Sequence, residues 1–303
     1  MVVQVFSANI HNIMKRISFY NSLLLIIAVT VFAACQGKTA QKPEPVQVMT
    51  FNIRLDVSSD SLNSWPYRKA GAAHLIAYYA PDLLGMQEVL PNQLADLKQA
   101  LPQYTALGVG RDDGKTAGEY CPVFFNTARF ELLKHGDFSL SEQPETFGVK
   151  GWDAECNRVC TWVLLKDKIT GNQVAYFNTH LDHIGTVARR EGARLVMQKM
   201  QELAPGVPAI LTGDFNCGPE EAPSQVLEEG GMHNAWKVAD ISYGPDWSYH
   251  DFGRVPLDER PLLVFVYVTP QVGVTRCRVI QDTPAGGGYY SDHNPVLAEI
   301  NIR

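Results

Sequence analysis

Polar and apolar positions along the chain either alternate or fall in short bursts, and the period of each stretch points to an element. VQVMTFNI (46–53) alternates and is rich in β-branched residues, which predicts a strand. PYRKAGAAHLIAYYA (66–80) sets apolar residues at helical spacing behind Pro66, a common first-turn residue. PDLLGMQE (81–88) predicts a short strand ending in polar side chains, and PNQLADLKQAL (91–101) a second helix. CPVFFN (121–126), RVCTWVLLKD (158–167) and NQVAYFNTHL (172–181) predict strands. Residues 186–203 predict a helix with Arg and Glu on its outer face. PAILTGDFN (208–216) predicts another strand, and APSQVLEE (222–229) a short helix. LLVFVYVT (262–269), GVTRCRVI (273–280) and PVLAEINI (295–302) close the chain as strands. No repeat period or internal linker interrupts this order. It predicts one α/β domain over 46–303 with a large sheet system.

The first residues follow a different pattern. Lys15 and Arg16 precede LLLIIAVTVFAA (23–34) and then Cys35. That apolar run is shorter than the roughly 20 residues a membrane-spanning helix needs. It matches the apolar core of a secretory signal. Small residues before Cys35 resemble a bacterial lipobox, so Cys35 is the expected lipidation site. Residues 1–35 are then a signal and lipobox segment, and QGKTAQKPEP (36–45) a polar tether. Met14 is an alternative start, since residues 1–13 fit no part of a signal. The expectation is an exported, membrane-anchored lipoprotein facing the periplasm or cell surface.

Composition adds two exclusions. The formal net charge is −6 and no basic stripe is visible, so tight binding of duplex nucleic acid is not expected. Beyond Cys35 the cysteines are Cys121, Cys156, Cys160, Cys217 and Cys277, with no spacing that suggests zinc. They read mainly as small buried apolar residues.

The chemistry is concentrated where strands end. Asn52 closes TFN, Gln87 and Glu88 close GMQE, His180 closes NTH, and Asp214 with Asn216 closes GDFN. Asp292 and His293 precede the last strand. Strand ends in α/β folds deliver side chains to one rim. Each residue alone is a weak signal, because an Asn after a strand usually makes a turn and a lone Glu is usually solvated. Together they form the inventory for hydrolysing a phosphate ester. Carboxylates suit a hard divalent cation, an imidazole can serve as base near neutral pH, and further donors meet charge developing on phosphorus.

TFNIR, PDLLGMQEVL, NTHLDH, LTGDFN and SDHNP, in this order, resemble the motifs of the endonuclease/exonuclease/phosphatase superfamily with its deoxyribonuclease I-like fold. NSWPYRK (63–69), GEYCPVFFN (118–126) and WDAECNRVCTW (152–162) also look alike. The resemblance implies an α/β, four-layer sandwich of two packed mixed β-sheets flanked by helices. It implies Mg²⁺- or Mn²⁺-dependent phosphoester hydrolysis, with phosphodiesters the expected class. By matching position, Glu88 would bind the metal with Asn52 and Asp292. His293 would be the general base, Asp214 and Asn216 would position water and phosphate, and His180 would stabilise the transition state. Asp182, His183, Arg158 and Gln87 are supporting positions whose roles stay open. The substrate would be a phosphorylated small molecule, an oligonucleotide or a lipid headgroup, and the protein a monomer.

One position departs from the pattern. The family's penultimate strand carries an aspartate that holds the catalytic histidine, and aligning YVTP (267–270) puts Val264 there. Three readings follow. The enzyme is slowed or acts only as a binding lipoprotein, or Asp258, Glu259 or Asp282 takes over, or the local alignment is shifted.

Overall fold

The computed structural model describes residues 14–17 and 44–302, which fall into two units, Met1–Glu44 and Pro45–Arg303. Cys35 lies outside the described residues. Among them, no helix is long and apolar enough to cross a membrane. In chain order the strands are β1 (Val46–Asn52), β2 (Leu83–Gln87), β3 (Tyr104–Leu107), β4 (Val123–Asn126), β5 (Phe130–Ser139), β6 (Val159–Asp167) and β7 (Gln173–His180). There follow β8 (Ala209–Asp214), β9 (His233–Asn234), β10 (Ile241–Tyr243), β11 (Val264–Val268), β12 (Val272–Val279) and β13 (Val296–Ile302). The main helices are α1 (Trp65–Tyr79), α2 (Pro91–Ala100), α3 (Thr186–Leu203) and α4 (Ala222–Glu229). Proline in the first turn of α1, α2 and α4 needs no N–H there, which helps set where each begins.

Two mixed sheets result, ordered β10-β12-β13-β1-β2-β4-β3 and β5-β6-β7-β8-β11-β9. Their facing sides share one apolar layer, with Val48, Leu83 and Val123 meeting Val163, Ile210 and Val264. The outer face of the first sheet packs on α1 and α2 through Phe51, Ile76 and Leu97. The outer face of the second packs on α3 and α4 through Phe177, Val196 and Leu227. This is the four-layer sandwich expected from the resemblance. Each strand buried on both faces loses its alternation and reads as an apolar run, as β2 and β8 do.

Beneath one rim the layer between the sheets turns polar. Gln87 Nε2 donates to Asn178 Oδ1 (2.7 Å) and Thr50 Oγ1 (3.1 Å), and Thr212 Oγ1 donates to Asn178 Oδ1 (3.0 Å). Asn178 Nδ2 in turn donates to the carbonyls of Met86 and Pro122. This network lets the sheets approach closely at Gly85, where a Cβ would lie 2.4 Å from Asn178 Oδ1. Buried polar groups of this kind hold position because leaving any one unpaired is costly. The parallel pairs β1–β2 and β7–β8 end just above it.

Candidate active site

Asn52, His180 and Asp214 are the last residues of β1, β7 and β8, and Glu88 follows the last residue of β2. Arg54, Glu88 and Asn216 take left-handed backbone angles (φ 58°, 61° and 49°) just past their strands. Non-glycine residues rarely adopt that region, and such turns re-aim a side chain at some cost in strain. Here Arg54, Glu88, His180, Asp214, Asn216, Asp292 and His293 converge on a pocket of about 380 Å³. Gln87 does not reach it. Adjacent strand residues point to opposite faces, so Gln87 enters the polar layer between the sheets while Glu88 turns outward.

One side of the pocket is a carboxylate network. Asn52 Nδ2 donates to Glu88 Oε1 and to Asp214 Oδ2, both at 2.9 Å, while its Oδ1 accepts from the Arg54 amide. Glu88 Oε2 accepts from the Leu55 amide at 3.1 Å. Ser291 Oγ donates to the Asn52 carbonyl (2.7 Å) and lies 3.2 Å from Asp292 Oδ1, fastening the SDHNP loop to β1. Arg54 pairs with Asp60 at 2.9 Å and stands 3.8 Å from both Glu88 and Asp292. Burial works to lower the Arg54 pKa, but Asp60, Asp292 and Glu88 outweigh it and the net shift is upward. Behind it the buried Arg68 donates to the carbonyls of Asn63, Ile53, Arg54 and Tyr290. Burial lowers the Arg68 pKa to about 10.

The site can be tested for a divalent cation from this geometry. Burial, with the nearby Glu88 charge, pushes the Asp292 carboxyl up to about 6 against the opposing pull of His293 and Arg54. Two carboxylates that resist joint ionisation are what a cation between them relieves. Oxygen donors of this kind suit Mg²⁺ or Mn²⁺. The residues present fit such an ion.

The other side holds the imidazoles. His293 Nε2 lies 3.5 Å from Asp214 Oδ2, and His180 Nε2 lies 2.9 Å from Asn216 Nδ2 and 3.9 Å from the same carboxylate oxygen. Burial, then the charges of Arg158 and Arg111, holds the His180 pKa well below the ordinary range, so this ring is neutral. Its Nε2 then accepts the Asn216 amide. Both Nδ1 atoms are buried without a hydrogen-bond partner among the described residues. The Tyr249 ring lies 4.8 Å from the His293 ring and covers it.

Val264, the position where the resemblance expects an aspartate, begins β11 and pairs in register with Asp214. Its side chain is buried in the layer between the sheets. Among the described residues none of the proposed substitutes reaches the ring. Asp258 and Glu259 are exposed on a 3₁₀ turn, and Asp282 accepts from the Tyr79 hydroxyl at 2.7 Å.

The supporting positions divide. Asp182 lies beneath the pocket, accepting from the Glu155, Cys156, Ile184 and Gly185 amides and from Arg158 Nε (3.2 Å). Burial would raise its pKa, but those amide bonds hold it well below the usual range. Asp182 thus fixes Arg158, whose Nη2 is 3.0 Å from His183 Nδ1, and both Arg158 and His183 line the pocket. Sequence reasoning missed Arg54, Arg111, Glu119 and Tyr249. Arg54 stands inside TFNIR and Glu119 inside GEYCPVFFN, so position next to a motif was a usable signal for those two. The five remaining cysteines are free, four buried and Cys156 half-buried.

A profile of the Endonuclease/Exonuclease/phosphatase family matches residues 49–293, and the chain belongs to that family. An endonuclease/exonuclease/phosphatase from Bacteroides vulgatus is 42% identical, with TM-score 0.83 over 86% of this chain and 100% of that one. A Bacteroides thetaiotaomicron mannosyl-6-phosphatase is 36% identical, with TM-score 0.80 over 85% of this chain and 100% of that one. Human tyrosyl-DNA phosphodiesterase 2 is 25% identical over 60% of this chain and 45% of its own length. The chain spans about half the length of the tyrosyl-DNA phosphodiesterases it matches. Members of the family are phosphoesterases that depend on a divalent metal.

Proposed function

We propose that this protein hydrolyses the phosphate ester of a small molecule, with a divalent cation held by Glu88 and Asp292. The observation that carries the reading is the convergence of Glu88, Asp214 and Asp292, two imidazoles and Arg54 on one small pocket. A bound Mg²⁺ or Mn²⁺ would act as a Lewis acid toward the phosphoryl oxygens. Asn52 holds Glu88 and Asp214 in place, and Arg54 adds fixed positive charge. The His293–Asp214 pair, 3.5 Å apart, receives the proton of the attacking water. The new bond joins water oxygen to phosphorus, the ester P–O bond breaks, and a proton ends on the departing alkoxide. Neutral His180, bonded to Asn216, lines the same pocket and would face the phosphoryl group.

A monoester is favoured over the diester expected from the motifs. Support comes from the mannosyl-6-phosphatase, similar over its whole length, and from the pocket, which sits at the low end of the roughly 300–1,000 Å³ of small-ligand sites. The test is phosphate release from mannose 6-phosphate, p-nitrophenyl phosphate and bis-p-nitrophenyl phosphate with Mg²⁺ or Mn²⁺. Turnover that needs metal and vanishes in Glu88→Ala is expected. A diester turned over faster than both monoesters defeats the monoester assignment, and no turnover of any of them defeats the hydrolase.

A second reading rests on His293 Nδ1, which has no partner among the described residues. An imidazole lacking a carboxylate at that nitrogen loses both its fixed orientation and support for its protonated form. The chain is then a slow member of the family. Lipid attachment at Cys35 completes the proposal, and a Cys35→Ala chain that stays in the membrane fraction would remove it.

A further inference from the structure

One wall of the pocket holds side chains that take no part in the bond-making and bond-breaking steps proposed above. It is built from Arg111 and Glu119, on the excursion between β3 and β4, and from Arg158, just before β6. Arg111 Nη2 lies 2.6 Å from Glu119 Oε1, and both side chains are largely buried. Burial raises the Glu119 carboxyl above its usual range, opposed by Arg111 and Arg158 and reinforced by Glu88. Arg158 is 5% exposed, is locked by Asp182, and keeps a buried Nη1 with no partner among the described residues, as does Arg111 Nε.

This wall is rigidly supported. The Arg111 amide donates to the Glu119 carbonyl (3.0 Å) and the Asp112 amide to that of Ala117 (3.0 Å), closing the excursion on itself. At Gly110 a Cβ would collide with the Ala117 backbone, so no side chain fits there. Asn157 Nδ2 donates to Asp112 Oδ1 at 2.8 Å, joining this loop to the one that carries Arg158. Asp153 bonds the amides of Val187 and Ala188 and anchors that second loop to the start of α3.

We propose that Arg111, Glu119 and Arg158 form a specificity subsite that reads the hydroxyl groups of the leaving alcohol, and that this alcohol is a polyol such as a sugar. The inference rests on the phosphomonoesterase reading above. Glu119 paired with Arg111, with Arg158 lining the same pocket, offers an acceptor beside donors. Each hydroxyl of a vicinal diol donates once and accepts once, so two neighbouring hydroxyls can use such a set together. A phosphate alone would be repelled by the Glu119 carboxylate. A nucleotide base would need an aromatic surface to stack on. The aromatic side chain lining this pocket is Tyr249, and it lies against His293.

The experiment measures kcat/KM for mannose 6-phosphate and for p-nitrophenyl phosphate in the wild type, Glu119→Gln and Arg111→Lys. Calorimetric affinities for mannose 6-phosphate and inorganic phosphate are taken on the same three proteins, with thermal melting as the folding control. The ratio of the two kcat/KM values should fall about 10- to 100-fold in Glu119→Gln, because a hydroxyl loses a charged acceptor. The ratio of the two affinities should fall in parallel. Equal losses on both substrates overturn the proposal, as does a wild type that binds inorganic phosphate as tightly as the sugar phosphate. A trinucleotide hydrolysed faster than the sugar phosphate overturns it as well. If no ester is hydrolysed but the affinity ratio still falls, the subsite stands and the hydrolase reading fails.

Discussion

The carboxylate side and the imidazole side of the pocket are held in opposite ways. Glu88, Asp292 and Asp214 accept bonds from Asn52, Ser291 and backbone amides, and Arg54 and Arg68 brace the loops behind them. The rings of His293 and His180 meet Asp214 and Asn216 through Nε2, and their Nδ1 atoms are buried without a partner among the described residues. A binding group for a cation must be preorganised, because every misdirected oxygen weakens the site. A base must be oriented too, and among the described residues no acceptor does this at His293 Nδ1. The difference teaches that the ability to hold metal and the rate of the reaction are set by separate parts of the molecule.

The sharpest way to break this comparison is to remove a carboxylate. Glu88→Ala should lower metal-dependent turnover by roughly 10³-fold or more, which steady-state assays at saturating Mn²⁺ would show. A residual rate near wild type would mean that the carboxylate side is not where the ion acts. Next in size is the brace. Arg68→Met takes the side-chain donor from the Asn63, Ile53 and Tyr290 carbonyls, while Arg54 O keeps Gln93 Nε2 at 2.8 Å, and should cost about 3 kcal/mol in urea unfolding. A loss under 1 kcal/mol would show that the loops hold themselves.

Supplying what the imidazole side lacks comes third. Val264→Asp should raise kcat by about 10- to 100-fold, the usual effect of a partner that orients a functional histidine. Since a carboxylate buried there can also destabilise the fold, Val264→Asn and a thermal melt accompany it. No gain in either folded variant would refute the missing-orienter account. The smallest effect concerns His250, whose pKa is lowered to about 4 by burial, then by His293 and Arg260. Its folded pKa lies below the unfolded value of about 6.5, so acidification protonates the unfolded chain first. Stability contributed above pH 6.5 is therefore lost between there and pH 4, at no more than about 1.4 kcal/mol per pH unit. His250→Gln should flatten that slope relative to wild type in urea titrations. An unchanged slope would assign it to other groups.

Legibility from sequence followed position in the sheets. The strands read from periodicity lie inside the sheets, and those that escaped, β3, β5, β9 and β10, are their four edges. An edge strand buries little and carries charge, so its pattern blurs. In β5, FELLKHGDFS is exposed or half-buried at seven of its ten positions and has an irregularity between Leu132 and Lys134. The strand-end residues were legible because apolar runs stop abruptly at them. Arg111 was not, because its excursion carries no period, and Glu119 was legible only as part of the family-like segment GEYCPVFFN.

The sequence by itself determined the family, the layered architecture and the residues delivered to the rim. The family and its architecture follow from the resemblance carried by the short motifs, and the rim residues from local periodicity that stops at the strand ends. Only the tertiary structure decided which of two neighbours faces the pocket, as with Gln87 and Glu88, and which groups meet across the chain, as Ser291 meets Asn52. It also decided that His293 Nδ1 has no partner among the described residues and that Arg111, Glu119 and Arg158 share a wall. Contacts between residues far apart in sequence depend on how the sheets and loops pack, and no local pattern encodes that.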